Sequence, residues 1–393
     1  MRHLPNRLKS PMIFVSLGQN IMLKIQENYS LNNLTTIKVG GAASFFARVK
    51  NVNELKEALE YAHHHSLNIF VISGGSNVVV SEHGFHGLAI QININGFEVI
   101  RENKQQAVLK IGAGEVWDKV VKRAVANGWW GIENLSWIPG RIGACAVQNS
   151  GAYGQEISDV IDEIKALEIA SGKIKIFKKD KCEYGYRQSV FNTRIAGKFI
   201  IVEVVLKLSK KENLKIDYPD VKKYFKERSL EQPSLRQIRQ AIIYTRSNKL
   251  PDMSKVGNAG SFFKNVMISR SEFQGLVKNL EKNFGQSEAD KAVELKEKFK
   301  IAGGVKIPTA WLIDICGLKG TQVGYVKVYE KQPLVLVTEP SKATADEVMR
   351  LFRKVRQAVY QKTGMKLLPE PRLVGFTDEE LEGYFKLDEN RYS

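Results

Sequence analysis

The seventeen residues Ile138 to Gly154 read IPGRIGACAVQNSGAYG and hold four glycines and one proline. An ordered, non-repetitive path so rich in glycine is costly in chain entropy, so it calls for more than the joining of two elements. A loop that wraps a ligand meets that demand, with Gln148, Asn149 and Tyr153 as its polar and aromatic fittings. Upstream, the apolar run Ile69 to Ile72 reads as a buried strand that opens into Ser73-Gly74-Gly75-Ser76-Asn77. There, small residues let backbone N–H groups approach a pyrophosphate. Taken alone, this second segment is read equally well as a strand-ending turn. No GxGxxG opens a helix and no Walker lysine loop is present, which disfavours a Rossmann or P-loop cradle. Two glycine loops separated by a helix-containing stretch let one extended dinucleotide lie between two subdomains.

With 393 residues, 43% of them hydrophobic, the chain can bury a core larger than that of one average domain. Lysine and arginine exceed aspartate and glutamate by 59 − 42 = 17, which favours anionic partners such as nucleotides and diphosphates. The basic residues are scattered, without an arginine-rich tract, helix-turn-helix pattern or zinc spacing, so a nucleic-acid role is disfavoured. Cys145, Cys182 and Cys316 are odd in number, far apart and without a CxxC, which suggests neither disulfides nor a metal site and fits a reducing cytoplasm. His63, His64 and His65 are adjacent near a helix end and point in different directions, so they read as a solvated end and no metal is expected. Arg2, Arg7 and Lys9 precede a short apolar piece from Met12 to Leu17, too short for a membrane span and without a cleavage site.

Residues 1–28 read as an N-terminal extension, with Met22 as an alternative start. Asn51 precedes a helical spacing of Leu55, Ala58, Leu59 and Ala62. Strands are expected at 87–92, 107–112, 162–170 and 198–208, with a helix near 116–127 stopped by Gly128. Short strands with few helices give an α+β class, not a regular doubly wound sheet. After about residue 228 the character changes: 234–247 reads helical, 257–261 is glycine-rich, and 341–363 is a strong helix. The last is marked by the box Thr344 to Glu347, the stripe Val348, Leu351, Phe352, Val355 and Val359, and the stop at Gly364. Residues 281–300 are a charged insertion, irregular or helical, and 376–393 an acidic, loosely held tail.

The two glycine loops, TTIKVGGAA (35–43), IGAGEVW (111–117), YGYRQSVF (184–191), TRSNKLPD (245–252), NAGSFFKN (258–265), WLID (311–314) and LPEPRLVG (368–375) resemble, in order, the UDP-N-acetylenolpyruvoylglucosamine reductases. The likeness covers roughly residues 29–375. It implies an FAD-binding module of the vanillyl-alcohol oxidase (PCMH) type at 29–228, in two subdomains of about 29–95 and 96–228, then an α+β substrate-binding domain at 229–375. It implies FAD contacts at Gly74, Gly75, Ser76, Asn77, Pro139, Gly140, Gly143, Asn149, Gly151, Ala152 and Tyr153. With no histidine standing out for covalent attachment, FAD is expected to be dissociable. NADPH is the implied hydride donor, UDP-N-acetylglucosamine-enolpyruvate the substrate, and a cytoplasmic monomer the expected form.

Adding hydride to an enolpyruvyl double bond leaves negative charge beside a carboxylate, which needs a cation to meet it and an acid to supply a proton. Arg187 has the planar fork that binds a carboxylate by two bonds, though an arbitrary arginine is more often a surface or ion-pair residue. Ser261 follows Gly260 and precedes Phe262 and Phe263, a pair expected to exclude water, with Lys264 close by. A serine there otherwise caps or bends the chain. Glu370 is stiffened between Pro369 and Pro371, and a solvated glutamate is the plainer reading. The resemblance makes Arg187, Ser261 and Glu370 the catalytic trio, converging at the flavin with Ser261 as proton donor, and Arg372 an anchor for Glu370. It places Tyr186, Tyr218, Lys249, Asn265 and Gln332 at substrate contacts, with Tyr218 on a loop that closes over the substrate.

The sequence departs from the family pattern at Ala146 and Val266, where proline is usual, at Ser150, where an aliphatic residue is usual, and at Thr35-Thr36-Ile37. These departures bear on flavin-loop geometry. Two other readings stay open: a different flavin oxidase or dehydrogenase of that superfamily, and a non-catalytic nucleotide-binding protein.

Overall fold

Asn51 starts the helix Val52–His64 as expected: its side-chain oxygen accepts from the Glu54 backbone N–H at 2.9 Å, and Leu55, Ala58, Leu59 and Ala62 form the buried stripe. The computed structural model describes residues 12–15, 23–301 and 304–388. The chain divides into two compact units, one built from residues 1–29, 43–74 and 86–248, the other from 30–42, 75–85 and 249–393.

The first unit holds two five-stranded sheets around one core. One sheet runs in the order Met12–Val15, Leu23–Ser30, Ala42–Val49, Phe85–Ile92, Asn68–Ile72. The other is antiparallel, in the order Ile174–Lys178, Ile161–Glu168, Phe199–Ser209, Gln106–Gly112, Phe97–Glu102. Asn68–Ile72 lies parallel to Phe85–Ile92 with Ile72 beside Gln91, so the glycine turn leaves from the carboxyl end of a buried strand, where open α/β sheets commonly place ligands. The helix Trp117–Ala126 closes the core through Val120, Val121 and Ala124, and Trp117 donates from Nε1 to the Leu135 carbonyl at 2.9 Å.

One correction concerns the extension. Leu23–Ser30 is a sheet strand whose Leu23 and Ile25 are buried, so ordered packing starts inside the segment 1–28. The period-two alternation is only two apolar residues long and hides among Lys24, Gln26 and Glu27. The alternative start at Met22 lies outside the described residues.

In the second unit the helix Ala345–Thr363 packs on a sheet ordered Gly257–Ser261, Val335–Thr338, Val326–Val328, Gln322–Val323. Its predicted signals are realised: Thr344 and Glu347 form a reciprocal capping box and Gly364 takes φ 75°. Segment 30–42 packs beside 75–85, and a Cβ on Gly40 (φ 106°) would sit 2.5 Å from the Val80 carbonyl oxygen. Segment 281–300 is helical rather than irregular: Arg270–Phe284 and Gln286–Lys298 form a hairpin hinged at Gly285, φ 89°.

The tail needs a larger correction. Residues Asp378–Phe385 form a helix with the capping box Thr377/Glu380, docked on Ala345–Thr363. Tyr384 donates to Asp346 Oδ1 at 2.7 Å and the Phe385 ring lies 5.2 Å from that of Phe352. Buried Arg356 donates from Nε to the Leu367 carbonyl at 3.0 Å and from Nη1 to that of Phe385. Residues 389–393 lie outside the described part. Arg356→Ala would leave two carbonyls without their donor, and we expect it to cost about 3 kcal/mol, read from the urea midpoint. A midpoint equal to wild type would mean that the tail helix is undocked in solution.

Candidate active site

The two glycine loops touch at Gly74 and Gly140, both in the first unit. A Cβ on Gly74 would lie 2.7 Å from the Gly140 Cα, closer than real side-chain contacts allow, and one on Gly143 would lie 2.8 Å from the Ala113 Cβ. Ser73 Oγ, next to Gly74, is buried without a hydrogen-bond partner. Gly74 and Gly140 let the two backbones touch, and the unsatisfied hydroxyl beside them is a polar group that a ligand on this main chain would partner. Gly74→Ala changes no positive φ, so its effect is confined to pushing the turns apart. Overpacking of this kind costs about 1–3 kcal/mol, and we expect a lower thermal midpoint together with flavin lost on desalting. A variant as yellow as wild type would count against the cradle.

The rest of the 138–154 path is pinned by side chains. Asn149, at φ 47°, donates to Glu156 Oε2 at 2.7 Å and the Gly185 carbonyl at 2.9 Å, and accepts from the Ser158 N–H at 3.1 Å. Its amide therefore ties the loop. Tyr153, at φ 48°, has its carbonyl held by Asn134 Nδ2 at 2.8 Å. Left-handed non-glycine residues cost roughly 1–3 kcal/mol each and persist where neighbours over-determine them. Two family departures are accommodated here: Ala146 is buried in the helix Ile142–Val147, and the Ser150 hydroxyl meets the Cys145 thiol, which burial pushes up to about 12.

Arg187 stands in a tight turn closed by Gly185 N–H to the Gln188 carbonyl at 3.0 Å and the reverse bond at 3.2 Å. Its φ of 54° is the left-handed value a type II turn needs at its third position. Its Nη2 donates to the Gly151 carbonyl at 3.2 Å, tying the turn to the glycine path, and Tyr186 lies beside the guanidinium, 5.5 Å from ring centre to Cζ. Tyr218 precedes the helix Pro219–Lys226, and its ring meets that of Tyr153 edge-on at 4.9 Å. The structure thus groups Arg187, Gly151 and Tyr153, and Tyr153 with Tyr218.

Sequence reasoning missed Arg246 at the centre of this group. It hydrogen-bonds Tyr153, lies within electrostatic reach of Asp118 and Arg187, and buries its Nε without a partner; burial pulls its pKa below the ordinary value. Arg239 grips Asp118 by two bonds of 2.8 Å, and the Trp137 N–H also donates to it. Burial opposes the charge on Asp118, but these donors hold its pKa below the usual aspartate value. Two guanidiniums, Arg239 and Arg246, therefore act on one carboxylate while Arg187 acts on Arg246, a positive excess that suits a further anion or carbonyl. A signal existed: Arg239, Ile242 and Arg246 fall on one helical face.

In the second unit, Ser261 ends the strand Gly257–Ser261 just after a register shift, with Gly260 at φ 70°. Bulges of this kind re-aim side chains. The following residues run antiparallel to 368–370: Phe263 bridges Pro369, and the Glu370 N–H donates to the Phe262 carbonyl at 2.7 Å. Asn77 Nδ2 donates to the Glu370 carbonyl at 3.3 Å, and the Asn77 carbonyl accepts from the Arg372 N–H at 3.0 Å. Ser261 thus ends one strand, while Asn77 and Glu370 stand just before the paired strands Val78–Val80 and Arg372–Val374, joined to it through Phe262 and Phe263. Gln332 lies in the turn before Val335, the residue paired with Ser261.

Phe262 and Phe263 are buried and pack against Phe352 in an apolar cluster. Asn265 accepts from the Thr309 N–H at 3.1 Å at the start of the helix Thr309–Ile315. Lys249 ends the helix Leu235–Lys249, and Val266 is a strand residue paired with Ile307.

The cradle of touching glycine turns and the orphaned Ser73 hydroxyl fit a flavin dinucleotide. A family model described as FAD binding domain matches residues 43–178, and the protein is a flavin-dependent oxidoreductase of α+β fold. A second, described as UDP-N-acetylenolpyruvoylglucosamine reductase, C-terminal domain, matches residues 252–374. Proteins with that reductase name from Bdellovibrio bacteriovorus and Amoebophilus asiaticus are each 35% identical, over 89% and 90% of this chain and 99% and 100% of their own. The chain belongs to the UDP-N-acetylenolpyruvoylglucosamine reductase family. The crystal structure of the Thermus caldophilus UDP-N-acetylenolpyruvylglucosamine reductase shares the fold, with a TM-score of 0.61 at 21% identity over 90% of this chain and 99% of that one. No helix among the described residues is long and apolar enough to cross a membrane.

Proposed function

We propose that this protein reduces UDP-N-acetylglucosamine-enolpyruvate to UDP-N-acetylmuramate with NADPH, in the making of peptidoglycan precursors in the cytoplasm. The observation that carries the reading is the likeness to reductases of this name along 89–90% of the chain, with both family models matched. Bound FAD, held without a covalent link, supplies hydride transfer between nicotinamide and substrate. Arg187 binds and orients the enolpyruvyl carboxylate and stabilises the charge that develops beside it. The positive surroundings provided by Arg246 support that task. Ser261 gives its hydroxyl proton to the substrate carbon left negative by hydride addition, and Glu370 supports that transfer.

The roles of Tyr186, Tyr218, Lys249, Asn265 and Gln332 are read as substrate contacts. Asn265 already accepts one bond through its amide oxygen, from the Thr309 N–H at 3.1 Å. Three buried free cysteines fit a reducing compartment. One assay tests the whole reading: purified yellow protein should consume NADPH rapidly only when the enolpyruvyl sugar is present. Oxygen uptake with a small alcohol, and no NADPH loss with the sugar, would replace this function by that of an oxidase.

A further inference from the structure

We propose that Arg141 and Arg48 form a phosphate-binding pair on the first unit that holds the diphosphate of the flavin dinucleotide by charge. The inference rests on the FAD reading of that unit. Arg141 directly follows Gly140, whose backbone abuts Gly74, so its side chain starts at the meeting point of the two glycine turns. Its Nη1 donates to the Gly114 carbonyl. Arg48 reaches the other turn through a relay: its Nε donates to Gln91 Oε1 at 2.6 Å, and Gln91 Nε2 donates to the Ser73 carbonyl at 3.4 Å. Ser73 carries the buried hydroxyl that lacks a partner.

Charge balance points the same way. Among the described residues neither guanidinium has a carboxylate within 4.0 Å. The acid that acts on Arg141 is Glu115, whose Oε1 is already taken by the Gly96 N–H at 2.9 Å. Burial and the charge of Arg48 both pull the Arg141 pKa below its ordinary value, and Glu115 only opposes this. Two guanidiniums that repel one another beside a backbone cradle are stabilised when a doubly acceptor-rich anion arrives. Arg48 is exposed, so the pair is open to such a ligand. Phosphate is the chemistry in question, and it has two sources here: the flavin diphosphate and the phosphates of NADPH.

The test uses the yellow holoenzyme. FAD retained after desalting is measured by its fluorescence at low and high salt for wild type, Arg141→Ser, Arg141→Lys and Arg48→Gln, with circular dichroism as the check on folding. Wild type is expected to release more FAD as salt rises. Arg141→Ser and Arg48→Gln should each weaken FAD binding about five- to tenfold at low salt and flatten the salt response, while Arg141→Lys regains part of it. Arg48→Gln keeps the test alive if Arg141→Ser fails to fold. Unchanged retention and salt response in the variants would overturn the pair while leaving the FAD reading intact. So would a raised KM for NADPH with unchanged FAD retention, which would hand the arginines to the other phosphate. A wild-type protein that never carries flavin would overturn both.

Discussion

In Ser261→Ala, NADPH should bleach the protein's visible absorbance as fast as in wild type, whereas colour should return with UDP-N-acetylglucosamine-enolpyruvate about a thousandfold more slowly. The asymmetry follows from where a proton is needed. Oxidation of NADPH delivers hydride and asks no acid of the protein, while reduction of the enolpyruvyl group leaves a carbanion that must be protonated. The hydroxyl of Ser261 is the proposed source, on a half-buried residue at the end of Gly257–Ser261, so alanine removes the donor and little packing. Its aim depends on Gly260, at φ 70° in the register shift. Stopped-flow absorbance with NADPH alone, then with the sugar, separates the two halves. Equal slowing of both would make Ser261 a structural residue and leave the proton to another group.

What the sequence disclosed and what it hid follow from physical scale. Helix Ala345–Thr363 was legible because cap, stripe and stop agree over nineteen residues. The helix Asp378–Phe385 was misread because eight residues of acidic composition look solvated, although Thr377 and Glu380 carry the same box signature that marks Thr344 and Glu347. The glycine loops could be read as binding elements from chain entropy alone, but not that Gly74 and Gly140 would touch, since the contact joins positions 66 residues apart. Arg187, Ser261 and Glu370 stand out only by resemblance, because one arginine, serine or glutamate in a loop has many uses. Arg246 escaped for the opposite reason: it sits in a helical pattern, and nothing local says that its face turns toward Asp118 and Tyr153.

Replacing Arg187 by lysine keeps the charge and removes the fork, and we expect kcat to fall about a hundred- to a thousandfold with the enolpyruvyl sugar. The backbone argues that the position is built for more than charge. A left-handed φ of 54° on a residue with a long side chain is unfavourable, yet the Gly185–Gln188 bonds, the Asn192 Nδ2 bond of 3.1 Å to the Arg187 carbonyl and the Nη2 bond to Gly151 hold it there. Strain over-determined in this way fixes where the side chain starts, and the Nη2 bond to Gly151 restrains its planar head, whose fork lets two N–H groups act together. Lysine offers a single ammonium in place of that plane and forfeits the bidentate geometry with the carboxylate. Single-turnover rates for Arg187→Lys and Arg187→Ala, with each half followed separately, decide the point. If the lysine variant turns over like wild type, charge alone suffices and the strained turn has another purpose; if lysine and alanine fail alike in the sugar-dependent half, the fork is what that half requires.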